Sequence, residues 1–184
     1  MENNKSLHEL EEQVLNFTPS QKHDVFAIEA IKEAINAAKK GNFGVGAILV
    51  DKETGEIVYR GQNKVFSESR SDLHAEMDLL DIFETQNKSD SRKLLQKYVL
   101  YTSLESCPMC LCRIITAGVP EVYHIADDEN GGMVHIYKQL PPVWQEISQG
   151  RVFAKAECSS SLSAIAEQVF LVTAGLDDKL ANAA

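Results

Sequence analysis

Residues 98–125, YVLYTSLESCPMCLCRIITAGVPEVYHI, are the stretch that decides the predicted fold. The stretch starts and ends in short apolar runs of the kind that form buried strands. From Cys107 onward the intervening residues predict a helix, and Gly118 with Pro120 beyond it is a typical helix end. Because a helix joins the two strands, the strands are predicted to be parallel.

The residues on either side extend this unit into a larger sheet. Upstream, residues 45–50 and 57–60 predict two strands joined as a hairpin. Downstream, residues 151–156 predict a fifth strand and residues 159–174 a last helix. Another helix is predicted to begin at Thr18, which can cap it. The sequence therefore predicts an α/β fold, a three-layer α/β/α sandwich around a mixed sheet of about five strands.

The length of 184 residues fits one substantial domain and is too short for two ordinary ones. We therefore predict a single domain over residues 1–184, with a helical extension at residues 1–17 and a tail at residues 175–184. No run approaches the roughly 20 apolar residues of a membrane span. The start of the chain is polar and lacks the pattern of a secretory signal, so the cytoplasm is the expected location.

The charge balance favours a small-molecule substrate over a nucleic acid. Lysine and arginine total 18 whereas aspartate and glutamate total 27, which gives a formal net charge of −9. A negative surface repels phosphate backbones at long range. The basic pairs at residues 39–40 and 92–93 are isolated from other basic residues in the sequence.

Two short motifs, each near a predicted helix start, carry the candidate chemistry. One is His74-Ala75-Glu76, which follows a helix cap predicted at Ser71 or Asp72, and the other is Cys107-Pro108-Met109-Cys110. The free N–H groups and the positive dipole end of a helix stabilise thiolates. Two cysteines three residues apart share one helix face and can hold one ion. With His74 as a nitrogen ligand, the set suits one zinc ion per chain.

Three protein ligands leave the fourth zinc position open, as in catalytic rather than structural sites. A zinc ion in such a site makes hydroxide available at neutral pH by lowering the pKa of water. Glu76 is then the predicted proton carrier, from water to a ring nitrogen and to a leaving amine. Its two-residue spacing from His74 is acceptable because side chains in a first turn lean back past the helix end.

A redox role or a structural zinc knuckle, in place of a catalytic zinc site, would explain part of this pattern. A Cys-x-x-Cys segment at a helix start also occurs in redox folds, and it can be half of a structural zinc knuckle in a binding protein. Such a role gives His74 and Glu76 no shared task. A reversible disulfide between Cys107 and Cys110 in metal-free protein would favour this alternative.

Together the motifs resemble the cytidine and deoxycytidylate deaminase superfamily, whose zinc enzymes carry His-x-Glu and Cys-x-x-Cys in this order. The resemblance covers roughly residues 44–125 and includes Gly61-Gln62-Asn63. The wording Leu104-Glu105-x-Cys107-x-Met109-Cys110 is most similar to the guanine deaminase and tRNA adenosine deaminase branch. The resemblance implies the three-layer fold, a bound zinc, a glutamate proton shuttle and at least a homodimer. Ser106 departs from the family pattern, which has proline before the first cysteine.

Further candidates for substrate contact follow from the resemblance and from side-chain chemistry. Asn63 lies where the family places an asparagine that hydrogen-bonds the substrate, although a turn asparagine would look the same. Phe43 can stack on a planar ring or pack in the core. Ala75, between His74 and Glu76, is a further candidate for substrate contact. Guanine deaminases resemble this chain in having an acidic residue near Asp128 and Glu129 that assists proton transfer. A solvated acidic loop is the alternative interpretation there.

The sequence is therefore interpreted as a zinc-dependent hydrolytic deaminase that releases ammonia from an amino-substituted nucleobase or nucleoside. Guanine or a related free base is the leading substrate, and adenosine in tRNA is the alternative. A heterocyclic small molecule and water are the expected partners. Cys112 is expected to be a small packing residue, and Trp144 to close the pocket or a dimer interface.

Overall fold

A mixed five-stranded sheet lies at the centre of the computed structural model, which describes residues 6–175. Its strands are β1 (Gly46–Asp51), β2 (Ile57–Gln62), β3 (Tyr98–Leu104), β4 (Glu121–Ala126) and β5 (Val152–Lys155). Their order across the sheet is β2-β1-β3-β4-β5. β1 pairs antiparallel with β2 and β3, whereas β3, β4 and β5 are parallel neighbours. The predicted hairpin, parallel pair and mixed sheet are confirmed.

Helices cover both faces of this sheet, which confirms the three-layer α/β/α arrangement. They are α1 (Leu7–Leu15), α2 (Asp24–Lys39), α3 (Ala75–Gln86), α4 (Ser91–Leu95), α5 (Pro108–Ala117), α6 (Pro142–Ile147) and α7 (Ser160–Ala174), with a 3₁₀ turn at Tyr137–Gln139. One apolar cluster joins α1, α2 and α7 to the sheet. A second cluster joins α3, α4 and α5 to the other face.

The interior strand β1 is covered on both faces, which explains why its sequence is apolar at successive positions. Ile48 and Val50 belong to the cluster with α2 and α7, whereas Ala47 and Leu49 belong to the cluster with α3 and α5. Successive strand residues point to opposite faces of a sheet. A strand covered on both faces therefore has no solvent-facing position, and each large aliphatic side chain it buries contributes roughly 1.5–3 kcal/mol to stability.

The start of α2 differs from the prediction, because the helix begins at Asp24 and not at Thr18. The buried Asp24 carboxylate accepts hydrogen bonds from the backbone N–H groups of Ser20 and Gln21. It also accepts hydrogen bonds from the N–H and the hydroxyl of Ser159, the N-cap residue of α7. These bonds hold the preceding turn and link two helix starts that are far apart in sequence, which a local capping pattern does not reveal.

The start of α3 also corrects the predicted cap. His74 is the N-cap residue, whereas Ser71 and Asp72 lie in the preceding turn. The Asp72 carboxylate is bonded to the Arg70 guanidinium at 2.6 and 3.1 Å, so it is already engaged outside the helix. The helix therefore begins with the first motif residue itself, and Glu76 falls on its second helical position.

The helix α5 begins and ends as predicted. Cys107 is its N-cap residue and Pro108 opens the first turn. Gly118 ends the helix with φ at 92°, a left-handed conformation that glycine adopts without a steric clash. The second motif is therefore fixed at a helix start by its local sequence.

The part of the N-terminal extension that the structure describes, residues 6–17, packs against the rest of the fold, whereas residues 1–5 lie outside the described residues. Leu10 and Val14 of α1 are buried in the cluster shared with α2 and α7. Of the tail predicted at residues 175–184, all but Gly175 lies outside the described residues. Between residues 6 and 175, no helix has the length and apolar character that a membrane crossing needs. That the whole chain is one domain stays a prediction.

Asp24→Asn is expected to destabilise the fold by about 2 kcal/mol at pH 7. Burial opposes the charge of Asp24, but hydrogen bonds from Ser20, Ser159 and Gln21 prevail and lower its pKa to about 2. A carboxyl whose pKa is lowered by folding stabilises the protein above its unfolded pKa, near 4, and loses this contribution as the pH falls toward 2. Urea unfolding at pH 7 and at pH 3 measures the difference and its decline.

The exposed Asp90 offers a matched control, since Asp90→Asn makes the same chemical change without removing a buried contact. Its free energy of unfolding should stay within about 0.5 kcal/mol of the parent. Equal stability of Asp24→Asn and the parent protein at pH 7 would contradict the assignment.

Candidate metal centre and active site

Two helix starts meet at one edge of the sheet. Both β2 and β3 are antiparallel to β1, so they run in the same direction and end at the same edge. α3 follows β2 and α5 follows β3, so both helices begin there. His74 is the N-cap residue of α3, Cys107 is the N-cap residue of α5, and Cys110 lies in the first turn of α5.

The three candidate ligands converge on one point. A ring nitrogen of His74 and the sulfurs of Cys107 and Cys110 all lie within 4.8 Å of one another. The Cys107 sulfur is 3.6 Å from Nδ1 of His74. Cys110 is buried, whereas His74 and Cys107 are half-buried. The predicted ligands are thus brought together by the fold, close enough to bind one ion.

The ionisation of these groups tests whether a metal fits. Hydrogen bonds from Cys110 and from His74 lower the pKa of the Cys107 thiol to about 4 against the effect of burial. The contact with Cys107, together with burial, raises the pKa of Cys110. The contact thus favours the thiolate at Cys107 and opposes it at Cys110, so a nearby positive charge is needed to stabilise both thiolates together. A divalent ion that favours sulfur and imidazole donors, as zinc does, supplies that charge.

Glu76 is a buried carboxyl beside these ligands. Its side chain lines the same cavity as His74 and Cys107, and only 3% of the residue is exposed. Its Oε1 accepts a hydrogen bond of 2.7 Å from the hydroxyl of Ser106. Burial, and secondarily the negative charge of Cys107, raises the pKa of Glu76, whereas the Ser106 hydrogen bond lowers it. The fold therefore places a carboxyl group that can carry a proton next to the candidate metal ligands.

A cavity of about 280 Å³ opens over this cluster. Its walls combine apolar and polar side chains from several loops: Phe43, Val45, Asn63, His74, Glu76, Leu104, Glu105, Cys107, Asp128, Gly131 and Phe170. The candidates Phe43, Asn63 and Asp128 therefore lie around the same space as the metal ligands. Ala75 is fully buried in the core with α3, and its side chain is not among the cavity walls. Glu129 is exposed and lines an adjoining groove.

The polar and aromatic wall residues are held by their neighbours. The Asn63 side-chain oxygen accepts a hydrogen bond from the N–H of Val65 at 3.1 Å. The amide nitrogen of Asn63 has no hydrogen-bond partner among residues 6–175 and so remains a donor for a bound molecule. The Phe43 ring contacts Phe66 and Phe170 at centroid distances of 5.0 and 6.3 Å. Phe43 thus both packs against other rings and forms part of the cavity wall.

Glu105, for which the sequence predicted no role, lies on the cavity wall. Its Oε1 accepts hydrogen bonds of 2.8 Å from the backbone N–H and from Nδ1 of His135, and its Oε2 accepts one of 3.1 Å from the N–H of Asp128. Burial raises its pKa, but these hydrogen bonds prevail and lower it. Glu105 therefore holds both ends of the loop 128–135. Its position two residues before Cys107 was the available signal.

Glu105 also belongs to a second group of ionisable side chains. Ligand atoms of Glu105, His124 and Asp127 lie within 4.8 Å of one another. Each of these side chains already has a hydrogen-bond partner. Asp127 is bonded to His124 and to Lys155, and Glu105 accepts a hydrogen bond from the backbone of His135 in the loop 128–135. This group is therefore an internal polar network of the loop that follows β4.

The remaining cysteines and the tryptophan have packing contacts. Cys112 and Trp144 pack against a small cluster that includes Leu111 and Ile115 of α5. Cys158 packs against the cluster under α2 and α7. Trp144 does not line the 280 Å³ cavity. The expectation that Cys112 packs is met, and Trp144 supports α5 from outside the site.

Comparisons with known proteins agree with this geometry. The family model of the cytidine and deoxycytidylate deaminase zinc-binding region matches residues 20–126, which include both motifs. A tRNA-specific adenosine deaminase of Bacillus subtilis (strain 168) is 35% identical over 144 residues, which cover 77% of this chain and 86% of the relative. More than half of the chain thus matches the family pattern.

Two solved structures are also similar. A guanine deaminase from Bacillus subtilis is 26% identical with a TM-score of 0.53, and the match covers 78% of this chain and 90% of that one. A structure from work on A-to-I editing by tRNA:A34 deaminases is 22% identical with a TM-score of 0.65, covering 79% and 99%. The second likeness is one of fold.

Replacing any one metal ligand is expected to remove the metal. His74→Ala, Cys107→Ala and Cys110→Ala should each reduce bound zinc from about one to near zero per chain, because two donors no longer hold the ion. Glu76→Gln should keep its zinc, since Glu76 is not a ligand. Metal analysis of the purified proteins measures this, with Cys112→Ala as a cysteine control. Full zinc content in Cys110→Ala would contradict the ligand set.

Glu105→Gln is expected to loosen the cavity wall. An amide cannot accept all three hydrogen bonds, so a loss of about 1–3 kcal/mol in the free energy of unfolding is expected. The KM for substrate should rise because the loop 128–135 forms part of the cavity. Glu129→Gln, at an exposed position on the same loop, is the control. Unchanged stability and KM in Glu105→Gln would show that the loop is held by other contacts.

Proposed function

This chain belongs to the cytidine and deoxycytidylate deaminase family and is a zinc-dependent hydrolytic deaminase, and on that basis we propose that it acts on a free nucleobase or nucleoside. Guanine or a related free base is the leading candidate. The reaction replaces an exocyclic amino group by oxygen, with water consumed and ammonia released. The observation that carries the proposal is the buried Glu76 beside His74 and Cys107 at one small cavity.

The proposed chemistry divides between the metal and the carboxyl group. His74, Cys107 and Cys110 hold the zinc, which when bound polarises water for attack at neutral pH. Glu76 would accept one proton from the attacking water and donate it to the ring nitrogen next to the reacting carbon. It would then accept the second proton, from the newly attached hydroxyl, and donate it to the amine, which leaves as ammonia while the carbonyl forms. Burial raises the pKa of Glu76, which favours its protonated form and suits a group that must both take up and release a proton.

The walls of the cavity suit a planar heterocycle. Phe43, Leu104 and Phe170 offer apolar surface on which a ring can lie. The free amide donor of Asn63 can meet a ring nitrogen or a carbonyl oxygen. The carboxylate of Asp128 can accept a hydrogen bond from an N–H group of the ring, which guanine has and which a fully substituted ring lacks.

The charge around the entrance favours an uncharged substrate. The adjoining groove shares Leu104, Asp128, Gly131 and Phe170 with the cavity. Its acidic members are Asp127, Asp128, Glu129 and Glu167, and its basic member, Lys155, is bonded to Asp127. On the side of Asn63, Lys64 is paired with Asp78. A phosphate at this entrance would meet net negative charge, which favours free bases and nucleosides over nucleotides.

Adenosine in tRNA is the second candidate, because the relative of 35% identity is a tRNA-specific adenosine deaminase. A tRNA substrate requires neutralisation of several phosphates by lysine or arginine and gives a steep salt dependence. The acidic entrance and the net charge of −9 weigh against it. Inosine formation in an unmodified tRNA transcript, with affinity that falls steeply with salt, would establish this candidate in place of the first.

An ammonia-release assay separates the substrates. Guanine, adenine, cytosine, guanosine, cytidine, deoxycytidylate and amino-triazines are compared at equal concentration, and a free base or nucleoside is expected to react fastest. Adding a phosphate to the same nucleoside should lower kcat/KM at least about tenfold because of the acidic entrance. Glu76→Gln should lower kcat about 10²- to 10⁴-fold with zinc retained. Full activity of zinc-free protein, or of Glu76→Gln, would overturn the proposal.

A further inference from the structure

We propose that the hydroxyl of Ser106 positions the Glu76 carboxylate for proton transfer, which makes Ser106 a positioning residue of the reaction. The inference rests on the proposed function, because it assigns Ser106 a role through Glu76. Ser106 lies between Glu105 and the candidate ligand Cys107. It is itself neither a candidate ligand nor part of the cavity wall.

The contact is short and enclosed. The Ser106 hydroxyl donates to Oε1 of Glu76 at 2.7 Å, and the two residues are 1% and 3% exposed. A hydroxyl that donates to a carboxylate in a buried setting makes one of the stronger neutral-to-charged hydrogen bonds. Water has little access to replace it.

Ser106 is held in place independently of Glu76. Its carbonyl oxygen accepts a hydrogen bond of 2.9 Å from the N–H of Met133, and the next residue, Cys107, is the N-cap of α5. The preceding Glu105 is bonded through its N–H to the carbonyl of Ala126 at the end of β4. The hydroxyl is therefore presented from a fixed backbone, and a fixed donor can orient a flexible acceptor.

The carboxyl group of Glu76 needs such an anchor. A glutamate side chain has three rotatable bonds, and a proton carrier works only within hydrogen-bond reach of the atoms it serves. Ser106 engages only Oε1, so the proposal assigns the transferred proton to the other carboxyl oxygen. Loss of the hydroxyl would allow Glu76 to occupy other rotamers, so that the reactive arrangement is populated for a smaller fraction of the time.

The first test separates orientation from binding. Ser106→Ala should lower kcat about 10- to 100-fold with KM within about twofold and zinc content unchanged, because it removes the hydroxyl and keeps the backbone contact with Met133. Ser106→Thr keeps the hydroxyl and should restore kcat to within about threefold of the parent. Ser103→Ala is the matched control, because Ser103 is also buried but its hydroxyl accepts from Gly46. Its kcat should not change.

The second test needs no catalysis. In zinc-loaded protein, Ser106→Ala should lower the Tm by about 4 °C or more, since a buried carboxyl loses its donor. The same change made in a Glu76→Ala background should shift the Tm by less than about 1 °C. Equal Tm shifts in both backgrounds, or an unchanged kcat in Ser106→Ala, would overturn the inference. If Glu76→Gln also keeps full activity, the proposed function fails; if it is inactive, only the role of Ser106 fails.

Discussion

The structure depends on one electrostatic constraint, which is that several acidic groups lie together in a buried space. Burial and the negative charge of Cys107 raise the pKa of Glu76, and contact with Cys107 raises the pKa of Cys110. Groups that oppose each other's ionisation need a positive charge among them. The N-terminal ends of α3 and α5 provide part of it, and a divalent zinc ion provides the remainder. In the proposed reaction a zinc ion held by these residues would supply two things: it would polarise water, and it would make the thiolates compatible with burial.

The sheet explains why two helix starts can meet there. β2 and β3 are separated by β1, so their axes are two strand spacings apart, about 9.5 Å. Two helices pack at about 8–10 Å, so α3 and α5 lie side by side when each follows its own strand. At Gly61 an added Cβ would lie 2.3 Å from the carbonyl oxygen of Ala75, which shows how closely α3 sits on β2. The ligand geometry therefore follows from strand order.

The sequence predicts those parts that depend on local pattern. The strands, the start of α5 at Cys107 and the zinc and deaminase assignment follow from apolar runs, a glycine stop and the two motifs. The cap predicted at Ser71 or Asp72 is wrong because the Asp72 carboxylate is engaged by Arg70, two residues before it. The cap predicted at Thr18 is wrong because Asp24, which begins the helix, is bonded to Ser159, a residue distant in sequence. Glu105 and Ser106 escape prediction for the same reason. Their roles depend on a loop and a helix that are distant in sequence.

The residues proposed to select the substrate lie on different elements from the residues proposed to carry out the reaction. The candidate metal ligands and Glu76 lie on helix starts fixed by the sheet, whereas the wall with Asp128 lies on a loop that Glu105 holds. Charges on that loop act across about 8 Å at physiological salt, so they favour or repel a phosphate before it reaches the metal. Under the proposed function, the acidic side chains of the adjoining groove disfavour phosphates, while the chemistry is assigned to the two helix starts.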